Sequence, residues 1–371
     1  MSAKTDRHEQ WLAELTALPT VAGHEDRVVE WIERWAARRK DVRMSRDRAG
    51  NVVLKSSVRT RKPPVILTAH IDHPGFVVTS VDRSRRVGVE FRGGVHTPYF
   101  EDARVDLFDA DDRVHRGTVT EFDHKTSTGS VRLDRRSGAL APGDIGRWAF
   151  NARSLGIRGG RLFAPGCDDL AGAAAVLAAF DLARKAAPQV RVLLTRAEEV
   201  GFVGAIGACK AGTVPERAEL IVVENSRAFV AYPVGSGAVV RVGDASTVFD
   251  RELTNQVTRL VRSYAESHEG IRWQRRLMDG GSCEATAFGA FGYRATSMSL
   301  ALGNYHNMVD IDGVLAGSRP ARVGPEYVSL DDYHGLIELL AHVAPRLGQA
   351  GEAALQERLD DLYEAERVIL G

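Results

Sequence analysis

The chain has 371 residues, 44% of them apolar and 26% charged, values of a globular protein with a large core, long enough for one large domain and a smaller one. Lys+Arg and Asp+Glu stand equal at 49 each, so the basic excess of a nucleic-acid binder is missing, and the basic run from Arg83 to Arg86 reads as solvated surface. Three cysteines without a CxxC pair argue against a disulfide framework or a cysteine zinc site, and no stretch reaches the roughly 18 apolar residues of a membrane span.

Apolar positions at three-to-four spacing predict helices over residues 7–17 and 25–39, the second carrying Val28, Val29, Trp31, Ile32 and Trp35. The start of the chain is charged and has no apolar stretch of leader length, so a cytoplasmic protein is expected. Asp47 to Asn51 is a turn signal before a short strand at 52–55. Val65 to Ala69 reads as a buried strand that ends at His70. From about 75 to 160 short β-rich runs alternate with Gly, Asp and Pro turns, predicting a small β-barrel or sandwich.

After Gly166 strands and helices alternate. Asp168 opens an Ala-rich helix reaching about Lys185. A strand follows at 190–195, a helix from Val203, a strand at 220–223, and strand-like runs at 229–233 and 238–242. Helices are expected near 250–267 and 282–290, a strand near 294–300, a long helix near 329–345 and an amphipathic tail at 352–368. This pattern predicts an α/β fold, a mostly parallel sheet flanked by helices, with a small β-barrel domain inserted. The expected division is a catalytic domain of residues 1–74 and 161–371 around an insert of 75–160.

Three of the expected strands end in a metal-ligand type. His70 ends one, Glu198 and Glu199 follow VRVLLT, and Glu224 follows LIVV. Carboxyl ends of strands line the crevice where α/β proteins bind ligands. Each signal alone has a plainer reading: a loop histidine for His70 or His306, a helix cap for Asp168, a solvated loop for the glutamates. Together, two imidazoles and several carboxylates suit zinc or a similar divalent ion. They are too many for one tetrahedral ion with an open position, whereas two ions about 3.5–4 Å apart that share a carboxylate use them all. Asp72, two residues beyond His70 on an extended chain, can accept the other ring N–H.

These residues, in this order, resemble the M42 family of metalloaminopeptidases, the glutamyl-aminopeptidase-like and TET-type enzymes. LTALPTVAGHEDRVVEWI from Leu15 is similar to the family's opening, DRAGNVV to its Asp…Gly-Asn strand, and TAHIDHPGFVV to its His-x-Asp motif. GCDDLAGAAAVL resembles its Asp-Asp/Asn motif and RAEEVGFVGA its Glu-Glu motif. DGGSCEATAFGAFGYRATSMSLALGNYHNMVD resembles its Gly-rich segment and last histidine. About 98 residues separate His70 from Asp168, and related M20 and M28 enzymes keep these positions much closer.

The resemblance implies an aminopeptidase acting on short peptides with two divalent ions, zinc first, with cobalt and manganese as alternatives. It places one ion on His70, Asp168 and Glu224 and the other on Asp168, Glu199 and His306. It implies Glu198 as general base, Asp72 as the partner of His70, a cis bond between Asp168 and Asp169, and homo-oligomers assembled through the insert. Glu284 is a candidate for the substrate's amino group. Three departures matter. Glu224 stands where Asp is usual, which bears on metal spacing and preference. Gly280 to Glu284, where the family has Gly-Thr-Asp, and Asn307-Met-Val-Asp310, in place of Ser-Pro-x-Glu, flank the substrate pocket and keep specificity from being carried over. Two alternatives remain: another amide hydrolase of the clan, such as a deacylase or carboxypeptidase, and a non-catalytic metal-binding scaffold.

Overall fold

The computed structural model describes residues 3–82, 85–348 and 353–370; Arg83 and Ser84 of the basic run and the first residue of the expected tail lie outside them. An eight-stranded sheet runs in the order Val42–Arg46, Val52–Ser56, Val190–Thr195, Val65–His70, Glu219–Arg227, Arg294–Leu302, Ala238–Asp244 and Trp273–Met278. The four strands from Val190–Thr195 to Arg294–Leu302 are mutually parallel. The strands next to them on either side, Val52–Ser56 and Ala238–Asp244, run antiparallel.

Burial on both faces explains the unbroken apolar runs of the central strands. Every residue of Val65–His70 is buried. Leu67 and Ala69 join the core under the helices Ala3–Ala17, Leu170–Ala183 and Leu330–Val343, and Ile66 joins the opposite core with Ala205, Leu220 and Phe288. The Ala-rich helix Leu170–Ala183 is buried except at Asp181 and Leu182. Its small side chains let it lie between the sheet and other helices, which fixes the turn before it at the sheet's carboxyl edge.

Gly75–Val81, Arg86–Arg92, Thr128–Leu133, Val114–Asp123, Arg104–Phe108 and Ile145–Trp148 close a six-stranded barrel. Its antiparallel pairs fill the interior with rings: Phe76 stands 4.9 Å from both Phe91 and Trp148. Ile145–Trp148, absent from the sequence reading, closes the barrel by pairing with both Gly75–Val81 and Arg104–Phe108. Gly146 makes that fit, since a Cβ there would lie 2.3 Å from Leu107 Cδ2.

The strand expected at 229–233 does not form. Phe229 and Tyr232 instead exchange backbone hydrogen bonds across a tight turn, and Pro233, which has no N–H, ends any ladder there. The tail forms the helix Ala353–Glu366, with Leu359, Leu362 and Tyr363 exposed. Among the described residues no helix is long and apolar enough to cross a membrane.

Candidate metal centre

The sheet brings the candidate residues to one edge. His70 ends its strand level with Thr195, and Glu198 and Glu199 lie in the loop that follows Thr195. Val222 is level with Thr68 in the next strand, which sets Glu224 beside His70. Asp168 sits in the turn before the helix Leu170–Ala183, and its bond to Asp169 is cis. His306 lies in the turn after Arg294–Leu302, with a left-handed φ of 52°.

All five candidate ligands converge. Asp168 stands between the two imidazoles, with Oδ1 3.5 Å from His70 Nε2 and Oδ2 3.4 Å from His306 Nε2. His70 Nε2 is 3.8 Å from a Glu224 oxygen, and His306 Nε2 is 3.2 Å from Glu199 Oε1. Donors that share a tetrahedral ion at about 2.0–2.2 Å lie roughly 3.4 Å from one another, so these gaps suit divalent ions. Ligand atoms of His70, Asp168 and Glu224, of Asp168, Glu199 and His306, and of His70, Glu198 and Glu199 form three such groups.

Asp168 Oδ1, Glu199 Oε1 and Glu224 Oε2 are buried without a hydrogen-bond donor. Buried carboxylate oxygens left this way are costly unless a cation satisfies them.

The surrounding bonds aim the donors. His306 Nδ1 is 2.6 Å from the carbonyl of Gly94, which follows the barrel strand Arg86–Arg92. His70 Nδ1 is 3.1 Å from the carbonyl of Asp72 and 3.5 Å from its carboxylate. With Nδ1 facing an acceptor, each ring turns Nε2 to the centre. The Asp72 carboxylate accepts the backbone N–H groups of Glu198 and Glu199 at 2.9 and 3.1 Å. Glu25 accepts from Ala197 N and Arg196 Nε, so the Glu-Glu loop is held from two sides by buried acids.

The charges are strongly coupled. Burial pulls the His70 imidazole down, yet Glu198, Asp168, Asp72 and Glu224 hold it well above the usual histidine value. His306 is likewise raised against its burial, by Glu199 and Asp168. Burial pushes the Asp168 carboxyl up, but His306 and His70 outweigh it and hold it below the usual range. Burial, then Asp168, lifts Glu224 to about 7 against the pull of His70. Burial lifts Glu198 well above the usual glutamate value, with Glu224 and Glu199 adding to it.

Two residues escape the sequence reading. Glu326 is buried among the backbone N–H groups of Cys167, Asp168 and His306. Its only signal is a charged residue opening the strand Glu326–Ser329, 20 residues beyond His306. Arg241 lies in a strand that reads as core, and only the rarity of buried arginine marks it.

Comparison with known proteins decides the family: the model of the M42 glutamyl aminopeptidases matches residues 50–318. The chain belongs to the M42 peptidase family. It is a metal-dependent aminopeptidase by that membership, and the acidic and histidine donors at the sheet edge fit the metal requirement.

Solved structures share the fold of this M42 peptidase at low identity. The TET1 peptidase of Pyrococcus horikoshii has a TM-score of 0.73 at 18% identity, over 91% of this chain and 99% of its own. A TET aminopeptidase from Thaumarchaeota archaeon SCGC AB-539-E09 has 0.73 at 18%, over 93% and 98%. An aminopeptidase from Desulfurococcus kamchatkensis has 0.72 at 20%, over 92% and 95%. Among curated proteins none matches the chain by sequence.

Proposed function

We propose that this M42 aminopeptidase works with two divalent ions, one held by His70, Asp168 and Glu224 and the other by Asp168, Glu199 and His306. The placement of Asp168 carries this reading, since its two oxygens face the two imidazoles at 3.5 and 3.4 Å. Two imidazoles and three carboxylates favour zinc. Bound ions of this kind supply Lewis acidity to the scissile carbonyl and to water. Glu198, its Oε2 3.9 Å from His70 Nε2, belongs to neither ligand set. It takes a proton from water and returns it to the leaving amine. Asp72 positions the loop on which Glu198 stands.

The first side chain of the peptide enters a cavity of about 260 Å³ that opens beside Glu224 and is walled by Phe229, Met278, Met308 and Ile311. Arg241 lines it at 2% exposure, with Nη1 3.3 Å from Ser226 Oγ and no partner on Nε. Among the described residues no carboxylate lies within ion-pair distance of this guanidinium. Burial pushes this guanidinium down, yet Cys283, Glu224 and Asp244 hold it charged. With no carboxylate paired to it directly, its free N–H faces the cavity as a donor for an anionic side chain, so an acidic N-terminal residue is the substrate we expect.

We further assign residues 75–160 to an inserted domain through which copies of the chain assemble into a homo-oligomer. The homo-oligomer is supported by the TET1 peptidase of Pyrococcus horikoshii, described as a dodecamer and as assembling into a tetrahedron or a large octahedral shell. A cytoplasmic location fits the three free cysteines.

Equilibrium dialysis against zinc, with glutamyl, leucyl and N-acyl substrates assayed with and without chelator, tests the reading. Two ions per chain and chelator-sensitive cleavage of glutamyl anilide are expected. One ion per chain would remove the second metal. Cleavage of N-acyl amino acids alone would overturn the aminopeptidase assignment.

A further inference from the structure

We propose that Glu326 is the positioning residue of the metal centre, a buried carboxylate that holds the backbones of Asp168 and His306 in one frame. The inference rests on the reading of those two residues as ligands.

The strand Glu326–Ser329 lies between the two segments that carry the ligands. On one side it pairs with Arg161–Ala164, Glu326 level with Ala164, four residues before Asp168. On the other side Tyr327 bridges Gly303, three residues before His306. The two backbone bonds between Gly303 and Tyr327 are 3.0 and 3.1 Å, and a Cβ at Gly303 would lie 2.0 Å from the Tyr327 ring. The approach is therefore fixed, and the first side chain of the strand enters the gap between the two ligand turns.

Glu326 fills that gap with no exposure to solvent. Its Oε2 accepts the N–H of Cys167 at 2.5 Å and of Asp168 at 3.0 Å, and its Oε1 accepts the N–H of His306 at 2.7 Å. Three donors converge on two oxygens, which only a carboxylate can satisfy. A glutamine would keep one accepting oxygen and turn an N–H₂ toward a backbone N–H.

The carbonyl side of the same turns is held separately. His73 Nδ1 lies 2.7 Å from the carbonyl of Asp168, and Asn225 donates to that of Cys167 at 2.5 Å. Asn307 donates to Pro165 at 2.9 Å and faces His73 with its side-chain oxygen at 3.2 Å. Position 310 does not contribute: Asp310 caps the helix Ile311–Leu315 through Gly313 N. Glu326 is thus the one acid that ties both turns together among the described residues.

Metal–ligand distances tolerate only about ±0.2 Å, and loss of an outer hydrogen bond to a ligand typically costs 10–100-fold in metal affinity or activity. The effect of Glu326 should be uneven. Asp168 and His306 both belong to the ion shared with Glu199, whereas only Asp168 belongs to the ion at His70 and Glu224. Glu326→Gln should therefore weaken the first ion by about 10–100-fold and the second by less.

The test is a cobalt titration of the metal-free full chain, followed by visible absorption and equilibrium dialysis, with kcat and KM measured at saturating metal. Glu326→Gln is expected to lose one ion selectively, to change the spectrum of the remaining shell, and to lower kcat with KM near wild type. Glu326→Asp keeps the charge and serves if the glutamine variant does not fold; the same ranking of the two ions is expected. Either variant binding both ions with wild-type affinity and spectrum would overturn the proposal. So would insolubility of both, which would assign Glu326 to folding alone. A wild-type chain that binds fewer than two ions would sink the two-ion reading instead.

Discussion

The carboxylate of Asp72 accepts the backbone N–H of Glu198 at 2.9 Å, and its second oxygen takes the N–H of Glu199 at 3.1 Å. One buried acid thereby fixes both the proposed base and a proposed ligand, while the neighbouring carbonyl of the same residue faces His70. Asp72→Ala would leave two amide groups without acceptors, at about 1–3 kcal/mol each where water cannot reach them. The variant is expected to melt lower and to lose about 10–100-fold in metal affinity or activity. Calorimetry and metal analysis check this; unchanged kcat and metal content would remove Asp72 from the positioning role.

Glu198→Gln separates proton transfer from metal binding. Glutamine keeps the size of the side chain and cannot carry the proton. A general base typically contributes about 10²–10⁴-fold, so kcat should fall within that range while two ions per chain remain bound. A variant with wild-type kcat would exclude Glu198 as the base.

The proposed sharing of Asp168 makes the ligand substitutions unequal. His306→Ala removes a donor from one ion only and should leave about one ion per chain at micromolar zinc. Asp168→Asn weakens both shells and should leave about none under the same conditions. Equal losses from the two variants, measured by dialysis, would contradict a shared carboxylate.

Legibility followed burial. The central strands read clearly because both their faces are covered and their runs are unbroken, as in Val65–His70. The edge strands Val42–Arg46 and Trp273–Met278 were not legible, since their exposed positions carry arginines and leave no apolar run. Ile145–Trp148 is illegible for another reason: four residues containing a glycine give no periodicity, and only barrel closure makes them a strand. His70, Glu199 and Glu224 stand out as polar residues after apolar runs, whereas Asp168 and His306 carry only the signals of a helix start and a turn and gain their meaning from the resemblance. Glu326 does not stand out, because its role depends on two turns distant in sequence, and Arg241 does not, because a single charge in a strand carries no pattern.

Metal-free protein should lose stability as pH rises through neutrality. Burial pushes Glu284 to about 8 and, with Asp168, Glu224 to about 7, whereas unfolding returns both near the ordinary glutamate value of 4.5. The folded chain thus holds protons that the unfolded chain releases. Stability from this source is complete below about 4.5 and is lost as pH climbs through 7 and 8. His70 and His306 act in the same direction, since their raised values stabilise the fold until each deprotonates. Asp168 acts oppositely, but only below the ordinary aspartate value of 3.8. Each tenfold gain in proton affinity on folding is worth about 1.4 kcal/mol, so the neutral-range loss is on the order of several kcal/mol. Bound ions replace those protons, and their affinity rises with pH as the ligands deprotonate. The gap in Tm between zinc-loaded and chelated protein should therefore widen from about pH 5.5 to about pH 8.5. A chelated protein whose Tm rises over that interval would show that the carboxylates already ionise freely in the folded chain, and the buried, ion-dependent centre would not stand.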